Sequence, residues 1–205
     1  ADYLTLPVRN LHPLPDGITD EEAVFIEPLA AAFEITEQVN VGAGERVCVL
    51  GDGRLGLLVA QALSTRGCDL VAVGRHPEKL SILSGRGIKT ALGAQGLADF
   101  DMTVDCTGSA EGFDEAVRLT RPGGVVVLKT TVAGRSGVDL NRVVIDEITV
   151  IGSRCGPFKP AIAALAEKKV DVSPLISKVF PIEQGVEALE YAARKGVLKV
   201  ILDLR

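Results

Sequence analysis

The sequence predicts an α/β protein built on a doubly wound parallel sheet, and three observations carry that expectation. Its 205 residues are 47% hydrophobic but only 4% aromatic, with no Trp, so the apolar mass is mostly Val, Leu, Ile and Ala. That mix suits strands covered on both faces by helices, which read as continuous aliphatic runs. Past Gly44, strand-like and helix-like segments alternate with no Asn-Gly turn between them, which implies βαβ units with right-handed crossovers. A glycine-rich turn, Gly51-Asp52-Gly53-Arg54-Leu55-Gly56, stands between one such strand and helix.

The net charge of -5 argues against nucleic acid, whose phosphates call for clustered Lys and Arg. Apolar runs such as Val125–Leu128 are far too short for a membrane span, and the first residues show no basic-then-apolar leader. Cys48, Cys68, Cys106 and Cys155 are scattered with no CxxC pair. They read as reduced thiols of a cytoplasmic protein, not as a Cys-based zinc site.

In chain order, Ala1–Thr19 carries Pro7, Pro13, Pro15 and Gly17 and reads as a short strand followed by turns. Asp20-Glu21-Glu22 marks a helix start, because carboxylates suit the positive end of the helix dipole. Glu27-Pro28 opens a second helix that runs from Leu29 to about Val39. Strands are expected at Val47–Leu50, Leu70–Val73, Ile88–Leu92, Met102–Cys106, Val125–Leu128 and Ile148–Ile151. Helices are expected at Leu55–Thr65, Pro77–Leu83 and Glu111–Leu119. The tail adds a helix around Pro160–Glu167, a strand near Ile176–Phe180, a helix from Ile182 to about Arg194 and a last strand at Lys199–Leu204.

A GxGxxG pattern is weak alone, since 22 glycines place some by chance. Here it ends a buried strand and opens a helix, the context that dinucleotide binding requires. Gly51 permits the tight turn, Gly53 lets backbone approach a pyrophosphate, and Gly56 lets helix and strand pack closely. The helix N-terminal amides then hold the phosphates. The bland alternative is a glycine-rich turn that binds nothing. Asp52, a negative charge beside that anion, either points to solvent or pairs with Arg54.

The second strand of an NAD-binding fold normally ends in Asp or Glu, which bonds the adenosine ribose. That slot holds Gly74, followed by Arg75-His76. Without the carboxylate there is less repulsion against a 2′-phosphate; Arg75 offers planar donors, His76 a further donor and Lys79 a positive field. NADP is therefore preferred, with NAD as the alternative. The competing reading is a solvated basic loop.

Glu27-Pro28-Leu29-Ala30, Val49–Gly56 and Asp105-Cys106-Thr107-Gly108, then Pro122-Gly123-Gly124 and Gly152-Ser153-Arg154-Cys155-Gly156, follow one another in that order. In these motifs the chain resembles the medium-chain dehydrogenases/reductases, in their zinc-dependent branch related to alcohol, sorbitol and threonine dehydrogenases. The resemblance implies a Rossmann domain flanked by remnants of a GroES-like catalytic domain. Residues 1–26 would end that domain's N-terminal part, 27–156 form the dinucleotide-binding domain, and 157–205 return toward the catalytic domain. The preceding stretch, with the zinc ligands, would be missing. It further implies that Gly51, Gly53, Arg54 and Leu55 lie along the pyrophosphate, while Cys106, Thr107 and Gly108 line the riboses. Lys129 and Thr130 would stand near the nicotinamide, Ser153, Arg154 and Cys155 would offer main-chain groups to its carboxamide, and Lys199 would reach the pyrophosphate.

Each has a plainer reading: Cys106 as a buried small hydrophobe, Lys129 as a snorkelling side chain, Lys199 as a strand cap. Glu27 would sit beside the catalytic zinc of the full-length enzyme; its plainer role is a carboxylate at a helix N-terminus. The implied reaction is hydride transfer between an alcohol and nicotinamide, with zinc as Lewis acid and a small alcohol or carbonyl as substrate. The chain alone is expected to be inactive. A stand-alone NADP-binding module, a zinc-free quinone-reductase relative and, more distantly, a Rossmann methyltransferase are the rivals. An apolar edge strand at Ile148–Ile151 invites a homodimer through Asp146–Ser153.

Overall fold

The computed structural model describes residues 3–132 and 137–204. The expected domain start at Ala1 and end at Arg205 lie outside the described residues.

The first stretch does not form the expected strand. It is extended and largely exposed apart from one 3-10 turn at Val8–Asn10. Prolines at 7, 13 and 15 remove the amides that a strand would offer to a neighbour. Its tie to the body includes His12, whose ring stacks 5.0 Å from that of Phe158.

Helix α1 (Asp20–Ala23) is a single turn closed by a reciprocal cap: Thr19 Oγ1 accepts the Glu22 amide, and Glu22 accepts the Thr19 amide. Helix α2 (Ile26–Gln38) begins earlier than the sequence suggests, taking Glu27-Pro28 into its first turn, where Pro needs no amide partner. It buries Ile26, Leu29, Ala30, Ala32, Phe33 and Ile35.

From Arg46 the chain lays down six strands and the helices between them. They are β1 (Arg46–Leu50), α3 (Arg54–Ser64), β2 (Asp69–Gly74), α4 (Pro77–Ser84), β3 (Lys89–Leu92), β4 (Phe100–Asp105) and α5 (Gly112–Leu119). Then follow β5 (Thr120–Leu128), α6 (Asn141–Ile145) and β6 (Thr149–Gly152). The sheet order is β3-β2-β1-β4-β5-β6 and every pairing is parallel. The order reverses between β1 and β4, and that switch point opens a crevice at the carboxyl ends of the strands.

Alternate residues of β1 serve two cores. Val47 and Val49 join α2, α3 and α7 (Phe158–Ala166) on one face, while Cys48 and Leu50 join α5 on the other. The continuous aliphatic runs in the sequence are therefore strands buried from both sides.

Strand β5 starts ahead of the Pro122-Gly123-Gly124 turn instead of after it. Thr120 already pairs with Phe100, and the ladder shifts register before Met102 meets Val125. The turn is thus an irregularity inside the strand; Gly123 sits at φ +70° and sends its amide to the Asp146 carbonyl. The short helix α6 has no counterpart in the sequence reading, since its exposed Val144 and Ile145 give no buried face to detect. After α7, β7 (Ile176–Pro181) and β8 (Lys199–Asp203) pair in parallel as a separate two-stranded sheet, bridged by α8 (Gly185–Ala192). No helix among the described residues is long and apolar enough to cross a membrane.

Candidate cofactor-binding site

The turn after β1 is fixed by what surrounds its glycines. Gly51 adopts φ +117°, where L side chains are strained, and its amide bonds the Val73 carbonyl at 2.8 Å. A Cβ on Gly51 would stand 2.7 Å from the Cys106 carbonyl oxygen, and one on Gly56 2.0 Å from the Gly51 oxygen. At Gly53, by contrast, a Cβ would meet nothing within 4 Å. Gly53 is the N-cap of α3 and offers no side-chain bond to its amides. Two glycines close the fold, and the one between them opens the helix N-terminus to a ligand.

Beside that turn lies a cavity of about 910 Å³ lined from β1, β2, the loop after β3, and β4 with α5. Of the expected residues it is lined by Gly51, Gly53, Gly74, Arg75, His76, Cys106 and Thr107, together with Lys79. Arg54, Leu55, Gly108, Lys129, Thr130, Ser153, Arg154, Cys155 and Lys199 are outside its lining: Arg54 and Leu55 start α3, Lys199 starts β8, and the others follow the ends of β4, β5 and β6. Gln95, Ser109, Glu111, Asp114 and Arg118 line it as well. The sequence reading missed Asp114 and Arg118 because α5 shows only its buried apolar face to a periodicity argument, and Gln95, Ser109 and Glu111 because they lie in loops with no periodicity at all.

Asp52 neither points to solvent nor pairs with Arg54. Its side chain is 10% exposed and crosses to the end of β2. There Oδ2 accepts the amides of Arg75 at 2.6 Å and His76 at 2.7 Å, and His76 Nδ1 lies 3.0 Å from Oδ1. Burial alone would raise this carboxyl, but the bonds from the His76 ring and amide and the Arg75 amide outweigh it and hold it below the usual carboxylate range. His76 therefore spends Nδ1 on Asp52 and keeps only Nε2 for a ligand. Arg75 is exposed on the cavity edge. Arg54 turns instead to the Leu198 carbonyl, which its Nη1 meets at 2.8 Å.

The turn after β4 is organised by a residue the sequence reading did not single out for a role. Asp105, 1% exposed, accepts both the amide and the hydroxyl of Thr107 on Oδ1, at 2.9 and 2.8 Å. The Gly108 amide bonds Thr130 Oγ1 at 3.1 Å, joining the ends of β4 and β5. Cys106 is partly buried, and burial first, then the Asp105 charge, pushes its thiol up. It is a packing residue, not a ready nucleophile.

At the far edge, Lys129 is buried and donates from Nζ to the Ala31 carbonyl of α2 and to that of Arg154. Burial lowers its pKa. The Ser153 amide is already spent on the Leu128 carbonyl at 3.0 Å, so it is unavailable to a carboxamide. What Ser153 does offer is its buried hydroxyl, which has no hydrogen-bond partner among the described residues. Lys199 stands with its Nζ 5.3 Å from the centre of the Phe25 ring; burial first, and Arg54 second, lower its pKa, with Glu27 acting the other way. Among the described residues no group of three or more His, Cys, Asp or Glu side chains is placed to hold a metal ion. Glu27 stands in the first turn of α2.

The family model described as zinc-binding dehydrogenase matches residues 55–169. Human sorbitol dehydrogenase is 31% identical over 217 residues, covering 93% of this chain and 58% of its own length. The chain therefore spans less than two thirds of the length of the curated relatives it matches. Among solved structures, a zinc-binding dehydrogenase of Sinorhizobium meliloti bound to NADP superposes with a TM-score of 0.82 at 22% identity, covering 92% of this chain and 61% of its own. A short chain alcohol dehydrogenase of Escherichia coli complexed with NADH does so at 0.86 and 21%, covering 97% and 64%. Both share the fold. Since the family model spans more than half of the sequence, this chain belongs to the zinc-binding dehydrogenase family.

Proposed function

We propose that the chain holds NADP, with NAD as the alternative, across the carboxyl edge of its six-stranded sheet, as the cofactor-binding part of a zinc-type alcohol dehydrogenase. The observation that carries this reading is the open Cβ position of Gly53 at the uncapped start of α3, between two glycines that the fold closes completely.

The amides of the first turn of α3 take the pyrophosphate, with Lys199 adding charge. The cavity takes the adenosine, and Arg75, Lys79 and His76 Nε2 face a 2′-phosphate. Thr107, Gly108 and Thr130 border the central riboses. Lys129 and the Ser153 hydroxyl stand toward the nicotinamide, with the main chain of Arg154 and Cys155 beside them. The dinucleotide supplies hydride-transfer chemistry; the chain binds it, orients it and shields its adenosine end. The substrate is a small alcohol or the matching carbonyl, and residues 1–205 alone do not turn it over.

In this reading residues 27–156 are the dinucleotide-binding domain, and residues 1–26 and 157–205 belong toward a GroES-like catalytic domain. Two copies pair through β6, the edge strand of the sheet, whose Val150 is exposed. Four free thiols suit the reducing cytoplasm.

Titration with NADPH, followed by nicotinamide fluorescence, tests the central point. Saturable binding with a stronger response to NADPH than NADH is expected. Failure of both nucleotides to bind, or turnover of an alcohol by the isolated chain, sinks the corresponding part.

A further inference from the structure

We propose that Asp52 reads the 2′ position of the adenosine ribose, with its carboxylate delivered from the turn after β1 onto Gly74 and restraining the preference for the 2′-phosphorylated cofactor. This rests on the dinucleotide-binding reading above.

In the general pattern the ribose-reading acid grows from the last residue of β2. Here a Cβ on Gly74 would lie 2.4 Å from Asp52 Oδ2 and 2.5 Å from Asp52 Cβ. The Asp52 carboxylate thus occupies the space where a side chain at 74 would begin. Position 74 is glycine because the acid arrives from elsewhere, not because the acid is missing. The turn after β1 and the end of β2 are held side by side by the Gly51 amide on the Val73 carbonyl.

Two consecutive amides, those of Arg75 and His76, converge on Oδ2. These are donors a 2′-phosphate would otherwise use, and an internal anion already fills them. Oδ1 has His76 Nδ1 as its neighbour at 3.0 Å. A carboxylate has about four lone-pair sites, so Oδ1 retains one for a ribose hydroxyl. Asp52 lines the adenosine cavity and is held ionised by its hydrogen bonds. A 2′-phosphate there meets Arg75, His76 and Lys79 as attraction, but Asp52, Glu111, Asp114 and Glu115 as repulsion, Glu115 being paired with Arg118. A 2′-hydroxyl meets an acceptor.

The test compares NADPH and NADH affinities of the wild-type chain with those of Asp52→Asn, Asp52→Gly, Gly74→Asp and the exchange Asp52→Gly/Gly74→Asp. Removing the charge, by Asp52→Asn or Asp52→Gly, should shift the affinity ratio toward NADPH by about tenfold, a change equal to about 1.4 kcal/mol. The exchange should bring the ratio back toward the wild-type value, because the acid then grows from β2 into the same space. Gly74→Asp alone should weaken both nucleotides, since its Cβ collides with Asp52. If Asp52→Asn does not fold, Asp52→Gly carries the same comparison. Equal weakening of both nucleotides by the Asp52 variants, or an exchange that leaves the ratio at the Asp52→Gly value, overturns this role and leaves dinucleotide binding intact. A wild-type chain that binds neither nucleotide overturns both.

Discussion

The α-carbon of Gly56 faces the carbonyl oxygen of Gly51 so closely that a Cβ at 56 would lie 2.0 Å from it. The contact locks α3 onto the end of β1 and sets where the helix amides point. Gly56→Ala must therefore push helix and strand apart, at a cost on the order of 3 kcal/mol, the upper end for overpacking a core. Thermal unfolding should show a clear fall in Tm. Gly53→Ala is the matched control: its methyl enters open space, so Tm should hold within a few degrees while NADPH affinity falls. If both variants lose only stability, Gly53 has no role toward a ligand.

The same turn shows what a sequence can and cannot reveal. Val47–Leu50 and the glycines after it were readable because strand burial and turn conformation are local demands, written in consecutive residues. The parallel order of the strands followed from the alternation of elements. Asp52 was misread because its partners, Arg75 and His76, come from a turn more than twenty residues away, and nothing local marks that approach. The expected N-terminal strand failed for a related reason: a strand needs a neighbour, and prolines at 7, 13 and 15 deny it the amides to acquire one. Asp105 is visible as a motif residue, but the two hydrogen bonds it accepts from Thr107 appear only once the turn is built.

Gln61 is a further case of distance hiding function. It is fully buried in the middle of α3, where a polar residue breaks the apolar pattern. Its side-chain amide donates to the Asp171 carbonyl at 3.0 Å and accepts the Asp171 amide at 2.8 Å, a two-point clamp across 110 residues. Gln61→Leu preserves most of the volume but leaves both main-chain groups unpaired, at about 1–3 kcal/mol for each group left unsatisfied. Chemical denaturation should show a lower midpoint with an unchanged slope. A midpoint equal to wild type would mean that water replaces the clamp at little cost.

Lys129 ties the ends of β5 and β6 to α2 through the Ala31 and Arg154 carbonyls. Gly156 lies in the same junction, where a Cβ would stand 2.0 Å from the Ala30 oxygen. Because burial lowers the Lys129 pKa, the unfolded chain holds this proton more tightly than the folded one. The protonation penalty is fully present below the folded value and is relieved as pH rises toward the unfolded value of about 10.4. The stability difference between wild type and Lys129→Met should therefore move in favour of wild type as pH rises through the alkaline range. Parallel pH curves for the two proteins would show that Lys129 is not held in this way.

Lys199 and Arg54 are like charges, and Arg54 pushes the Lys199 pKa down while Glu27 acts the other way. Arg54 is fastened to the Leu198 carbonyl, and the Lys199 ammonium pays for its burial and for that neighbour with a lowered pKa. A pyrophosphate bound at the start of α3 would reverse the second effect, raising the Lys199 pKa in the complex. Linkage then fixes the sign: affinity is greatest while Lys199 is protonated in the free protein. It declines as pH rises from the free value toward the bound one. NADPH affinity of the wild-type chain should fall across that alkaline window and weaken with added salt. Lys199→Met should start roughly tenfold weaker, as expected for losing about 1.4 kcal/mol, and follow a flatter pH curve. A variant with the wild-type pH dependence would place the titrating group elsewhere and confine Lys199 to packing over Phe25.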